Sequence, residues 1–149
     1  MTTAVTELRA NERLSGGKTG PAGPTVVPPG LYSLAFKRKH LVSRFNRGVL
    51  ELWFAITDFG PYFEVEIPRY YNVQLSQKGR SFTARPQSDF AVEYCSVFGE
   101  RPKFNCSPIS RFDSIYVVGV VQTVTTSYQQ KTLPKPAQYS TIRELRAAP

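Results

Sequence analysis

The residues best equipped for chemistry in this 149-residue chain lie between positions 31 and 50, where Lys37, Arg38, Lys39, Arg44 and Arg47 occur with no Asp or Glu among them. Cationic side chains at this density neutralise phosphates, and the interleaved Phe36 and Phe45 offer rings on which bases stack. Set between two strand-like runs, the segment predicts a cationic, aromatic-bearing loop at a sheet edge, suited to single-stranded nucleic acid. The plainer alternative is a solvated basic hairpin that only keeps the chain soluble.

Catalytic chemistry has little to work with. His40 is the only histidine, so a Ser-His-Asp or Cys-His arrangement would have to use it, inside a cationic run with no evident carboxylate to orient it. Stacking on a base or bonding a phosphate suits His40 better. Gly16-Gly17-Lys18-Thr19 resembles the end of a phosphate-binding loop, but Glu12 stands where its first glycine belongs and Gly20-Pro21 follows where a helix should start. Asp58-Phe59-Gly60 matches a kinase triplet in a chain too short for a kinase. Cys95 and Cys106 make neither a disulfide framework nor a metal spacing and read as reduced structural thiols. We therefore expect no enzyme, no cofactor and no metal.

The aromatic residues say more. Trp53 falls on the strand face opposite Leu52 and Phe54, beside Glu51, and Tyr62 and Tyr70 share the polar phase of the next strand. Together they form a candidate stacking platform, unless a terminal extension covers it. Glu51, Glu64 and Glu66 lie on the same face and would repel phosphate unless paired with Lys37 or Lys39 across the sheet. The backbone of a bound strand is then gripped at the rim, by Arg44, Arg47, Lys78, Arg80 and Arg85, with Phe45 beside them.

Composition agrees. With 19 Lys and Arg against 11 Asp and Glu the net charge is +8, which draws the protein towards nucleic acid, anionic membrane or an acidic partner. No apolar run approaches the ~18 residues of a membrane span, and the N-terminus lacks the apolar core of a secretory signal, so we expect a cytoplasmic protein.

These side chains need a scaffold. Residues 1–27 run through Gly, Pro and small polar residues and read as a flexible leader ending at Pro28-Pro29, with ordered structure from Gly30. Tyr32, Leu34 and Phe36 alternate with Ser33, Ala35 and Lys37, and Leu50, Leu52, Phe54 and Ile56 with Glu51, Trp53, Ala55 and Thr57, giving two half-buried antiparallel strands. After the turn at Asp58 to Pro61 comes a third strand, with Phe63, Val65, Ile67, Tyr71, Val73 and Leu75 in one phase and Pro68 marking an edge or bulge. Ser88 caps a helix whose apolar stripe is Phe90, Tyr94, Val97 and Phe98, stopped by Gly99 and Pro102. The β-branched run from Phe112 to Tyr128 reads as a long strand bent at Gly119. Residues 127–149 are a Pro-containing extension ending in a short strand at Gln138 to Ile142 or a brief helix at Ile142 to Arg146.

Three strands, a helix and a long strand follow the element order of an oligonucleotide-binding (OB) fold. The expected class is all-β with one short helix, an OB-like five-stranded antiparallel barrel over residues 28–126. There the chain resembles small OB-fold single-stranded DNA-binding proteins of phages and integrative mobile elements. The PPGLY opening, LELWFAITDFGPYFEVEI, the SDF helix start and RFDSIYVVGVVQTV carry that resemblance. It implies a non-enzymatic, sequence-tolerant single-stranded DNA-binding protein acting in replication, recombination or repair, with RNA, a homo-oligomer and a replication or host-defence protein left open as partners. Bacterial proteins of this kind often end in an acidic tip, which Arg143 and Arg146 do not resemble. A protein-binding inhibitor of a host nucleic-acid-handling or defence complex is the alternative, and a capsid or tail component a third.

Overall fold

Period-two alternation builds nearly the whole molecule. The computed structural model describes residues 26–126 and 131–149. Its strands are β1 (Gly30–Arg44), β2 (Arg47–Ile56), β3 (Glu66–Leu75), β4 (Phe82–Thr83), β5 (Tyr116–Val124) and β6 (Tyr139–Ala147), and its α-helix is α1 (Asp89–Phe98). Short 3-10 segments at Pro108–Ser114 and Lys135–Ala137 complete the described elements. The strands make one antiparallel sheet in the order β4-β3-β2-β1-β5-β6. Thus the protein is mostly β, but the sheet has six strands rather than five and is not closed into a barrel. β6 approaches β3 without hydrogen-bonded pairing.

The expected basic loop is a strand. β1 runs unbroken through Lys37 to Arg44 and turns on Phe45 and Asn46 alone, both with positive φ (52° and 62°). This is the backbone of a tight two-residue hairpin turn. Cross-strand partners extend from Leu34↔Ile56 to Arg44↔Arg47, with a bulge at Lys37. Leu41, paired with Leu50, continues the apolar phase after that bulge and keeps the basic stretch on the sheet.

One face of the sheet makes the core. Leu34, Leu50, Leu52, Phe54, Ile56 and Ile67 are essentially inaccessible, and Phe90 and Tyr94 of α1 pack onto the same cluster. Rings meet edge to face from Phe36 through Phe54 and Phe112 to Phe98, whose ring is tilted against Tyr94. Burying each such ring contributes about 1.5 to 3 kcal/mol. Helix α1 starts where expected: Ser88 Oγ accepts the Ala91 N–H at 3.2 Å, and Gly99 closes the helix in a left-handed conformation.

Several expected boundaries move. Residues 108–114 coil into a 3-10 turn that buries Ile109 and Phe112, so β5 begins at Tyr116. Gly119 lies within β5, where a Cβ would stand 2.4 Å from Leu34 Cδ1, so the glycine makes room for that core side chain, and the β5–β6 pairing shifts register just beyond it, at Val120/Val121. The expected C-terminal extension supplies a full strand, whose Ile142 and Leu145 reach the core. Val27 precedes the expected start of order yet is buried, its N–H donating to Ser140 Oγ at 2.8 Å. Residues 1–25, including the Gly16-Thr19 string, lie outside the described residues.

Beneath α1, the seam between β3 and β6 is polar. Arg69 is in register with core-facing Leu52, and its guanidinium bonds both oxygens of Glu93, Nε donating to Oε1 at 3.1 Å. The Tyr71 hydroxyl and the Leu145 N–H also donate to Glu93 Oε1, at 2.7 and 2.9 Å. Burial raises the Tyr71 pKa well above its usual value of 10.0, and the Glu93 carboxylate adds to the rise. For Arg69, burial pulls the pKa down, but the hydrogen bond to Glu93 together with the electrostatic attraction of Tyr71, Glu93 and Asp89 leaves it raised. This four-way contact ties β3, α1 and β6 together.

Candidate nucleic-acid interface

The face of β1, β2 and β3 turned away from the core holds the clearest constellation. Because the bulge at Lys37 shifts the phase of β1, Arg38 rather than Lys37 or Lys39 stands opposite Trp53. Its guanidinium carbon lies 5.0 Å from the indole centroid, and Arg38 also pairs with Glu66. Next along the sheet, Trp53 Nε1 donates to Glu51 Oε1 at 3.2 Å, and Arg44 Nη2 donates to Glu51 Oε2 at 2.6 Å. Arg44 in turn lies 5.5 Å from the Tyr70 ring. Each such cation–ring contact is worth about 0.5 to 1 kcal/mol at an exposed site.

Glu51 is only 6% exposed, and the charge that sequence reasoning set against phosphate binding is met by arginine. The pairing of Glu51 and Glu66 with Lys37 or Lys39 does not occur. Lys37 occupies the bulge, and Lys39 shares the register of Leu52 on the opposite face, so both stay exposed away from Trp53. Burial raises the Tyr70 pKa, and the neighbouring Glu51 carboxylate raises it further.

At the hairpin end the charges are arranged differently. A groove of about 910 Å³ lies between the β1–β2 turn, the end of β3 and the segment leading into α1. Arg47 and Arg85 both line it, with amides from Asn72, Gln74 and Gln87. Among the described residues neither arginine pairs with a carboxylate. Gly48 makes the groove possible, because a Cβ there would meet Leu75 Cγ and the Val73 carbonyl oxygen at 2.7 Å each. Lys78 and Arg80 occupy the adjoining β3–β4 turn, both exposed, and Phe45, 70% exposed, tips the neighbouring hairpin.

Tyr62 does not join Tyr70. It sits in the β2–β3 connection at the opposite end of the sheet, where residues 61–64 turn rather than extend and its ring packs against the core. In the same connection Asp58 Oδ2 accepts the Ser33 N–H at 2.9 Å, which makes the kinase-like triplet a loop anchor. Phe59, 94% exposed, stacks on Phe63 with centroids 5.5 Å apart. Neither thiol is buried: Cys95 lies on the side of α1 away from Phe90 and Tyr94, and Cys106 is in a loop.

Of the expected contacts, then, Arg44, Trp53 and Tyr70 meet on one face, while Arg47 and Arg85 meet in the groove. Sequence reasoning missed Arg38 as the partner of Trp53, since the bulge leaves no mark on the pattern. It also missed Asn72 and Gln74, although both continue the phase of Tyr70 at a spacing of two. No group of acidic, cysteine or histidine side chains among the described residues could hold a metal ion, and no helix is long and apolar enough to cross a membrane. Comparison with family models, curated proteins and solved structures finds no match to this chain.

Proposed function

We propose that this protein binds single-stranded DNA with little regard to sequence, without catalysis, in the replication, recombination or repair of a phage or mobile element. On this reading the sheet is an open form of the OB arrangement, its gap lying between β3 and β6 and its helix between the third long strand and the next. The observation that carries the proposal is the face holding Trp53 and Tyr70, where two arginines lie over the rings and cancel the glutamates beside them. A guanidinium plane stacks on a base much as a ring does, so Arg38 over Trp53 extends the platform. Arg47 and Arg85, which pair with no carboxylate among the described residues, give phosphates a cationic rim at one end of it together with Lys78 and Arg80.

Phe45 supports the same reading. An L-residue at φ 52° is held at a cost of roughly 1 to 2 kcal/mol that glycine would avoid, and here the cost keeps an aromatic ring exposed at the hairpin tip.

Fluorescence anisotropy with labelled oligothymidine at two salt concentrations tests the proposal. Binding should weaken steeply with salt, and Trp53→Ala should cost about 1 to 3 kcal/mol of affinity while the fold persists. Equal affinity of wild type and Trp53→Ala would remove the platform from the account. A protein-binding role is the second reading, favoured by Phe59 and Phe63 stacked in solvent beside Asp58 and Glu64, away from the cationic rim.

A further inference from the structure

The hairpin-end groove differs from the Trp53 face in what it leaves unsatisfied. Arg47 and Arg85 enter it from separate elements, one from the start of β2 and one from the segment preceding α1. No carboxylate is among its lining residues. Two guanidinium groups without a counter-charge suit a phosphomonoester, which carries about −1.5 to −2, better than a singly charged diester. Val73, Leu75 and Ala84 give the same groove an apolar component, against which the flat side of a base can rest. Amides at Asn72, Gln74 and Gln87 offer donor and acceptor pairs of the kind that read base edges. The Thr83 hydroxyl donates to Gln74 Oε1 at 3.3 Å and orients that amide.

Volume and position agree with such an occupant. At about 910 Å³ the groove is at the upper end of small-ligand sites and has room for a whole nucleotide. Along β3 the phase of Tyr70 leads through Asn72 to Gln74, so a strand stacked on the aromatic face runs off the sheet at this groove. We propose that the groove is a nucleotide site that takes the phosphorylated end of a single strand, with Arg47 and Arg85 on the terminal phosphate and the adjoining amides on the base.

This inference rests on the nucleic-acid reading above, but the two can fail separately. Nitrogen-15 amide spectra of the full chain, titrated with deoxynucleoside monophosphates, probe the groove without using the platform. Saturable shifts are expected at Gly48, Val73 and Ala84, with affinity reduced at least fivefold in Arg85→Ala and largely restored in Arg85→Lys. A second measurement compares oligothymidine with and without a terminal phosphate. The phosphorylated strand should bind several-fold tighter, and Arg85→Ala should weaken it several-fold more than the unphosphorylated strand, erasing that difference. Equal shifts from inorganic phosphate at the same concentration would overturn the proposal, reducing the groove to an anion site. So would shifts confined to Trp53 and Tyr70, or no preference for the phosphorylated end. Loss of oligothymidine binding in Trp53→Ala, with mononucleotide binding intact, bears on the platform and supports an independent groove.

Discussion

Two arginine–glutamate pairs lie on opposite sides of the same sheet and do different work. Arg69 and Glu93 meet on the core side, each about a tenth exposed, where the carboxylate also collects the Tyr71 hydroxyl and the Leu145 N–H. Arg44 and Glu51 meet on the other side, where the carboxylate is buried but the arginine is half exposed and lies over Tyr70. The inner pair has surrendered water on both partners, so its value lies in joining β3, α1 and β6. The outer pair has surrendered water on the acid alone, which hides a negative charge and leaves a cation and a ring at the surface. The same chemistry serves the fold in one place and, in the other, leaves a surface of the kind the proposed interface needs.

The largest expected effect breaks the inner pair. Glu93→Ala should destabilise the protein by about 3 to 5 kcal/mol in denaturant unfolding, since it strands a buried guanidinium and two further donors, the Tyr71 hydroxyl and the Leu145 N–H. A loss below about 1 kcal/mol would mean that water or a shift of α1 replaces the carboxylate, and the contrast would collapse.

Next comes the outer pair. Arg44→Ala leaves Glu51, among the described residues, with the Trp53 N–H alone and should cost about 1 to 3 kcal/mol of stability. Arg47→Ala, whose side chain pairs with no carboxylate among the described residues, should stay within about 0.5 kcal/mol of wild type. Each substitution should also lower the salt slope of single-strand binding, by roughly 0.7 for each phosphate contact removed. Equal stability losses would show that Glu51 does not depend on Arg44.

A third test reads the inner network through pH. The folded protein holds the Tyr71 phenol protonated beyond 10.0, whereas the unfolded chain releases that proton near 10.0. Above that pH the unfolded state binds fewer protons than the folded state, so stability falls as pH rises. It is fully present below pH 10. Thermal melts of wild type should therefore decline more steeply above pH 10 than those of Tyr71→Phe, which lacks the ionisable group. Parallel declines would assign the alkaline loss to other groups.

The smallest effect concerns the hairpin tip. Phe45→Gly relieves an unfavourable backbone conformation and should stabilise the protein by about 0.5 to 1 kcal/mol while weakening single-strand binding. Stabilisation with unchanged binding would remove Phe45 from the interface.

What the amino-acid sequence determined by itself was local. Alternation placed Leu50, Leu52, Phe54 and Ile56 inside and Trp53 outside because side chains on a strand take opposite faces in turn, whatever the partner strand. Ser88 and Gly99 marked the ends of α1 because capping satisfies backbone groups within one turn of chain. Tertiary structure decided everything that depends on which strand lies beside which. One extra residue at Lys37 sent Arg38 rather than Lys37 itself to Trp53, and a bulge of that kind belongs to the pairing of β1 with β2 rather than to the pattern of β1 alone. Residues 139–147 became a strand because β5 offered an edge and the core offered room for Ile142 and Leu145, neither of which their own sequence reveals. Arg47 and Arg85 share a groove for the same reason: 38 positions separate them in the chain, and only the packing of β2 against β3, allowed by the missing side chain of Gly48, draws them together.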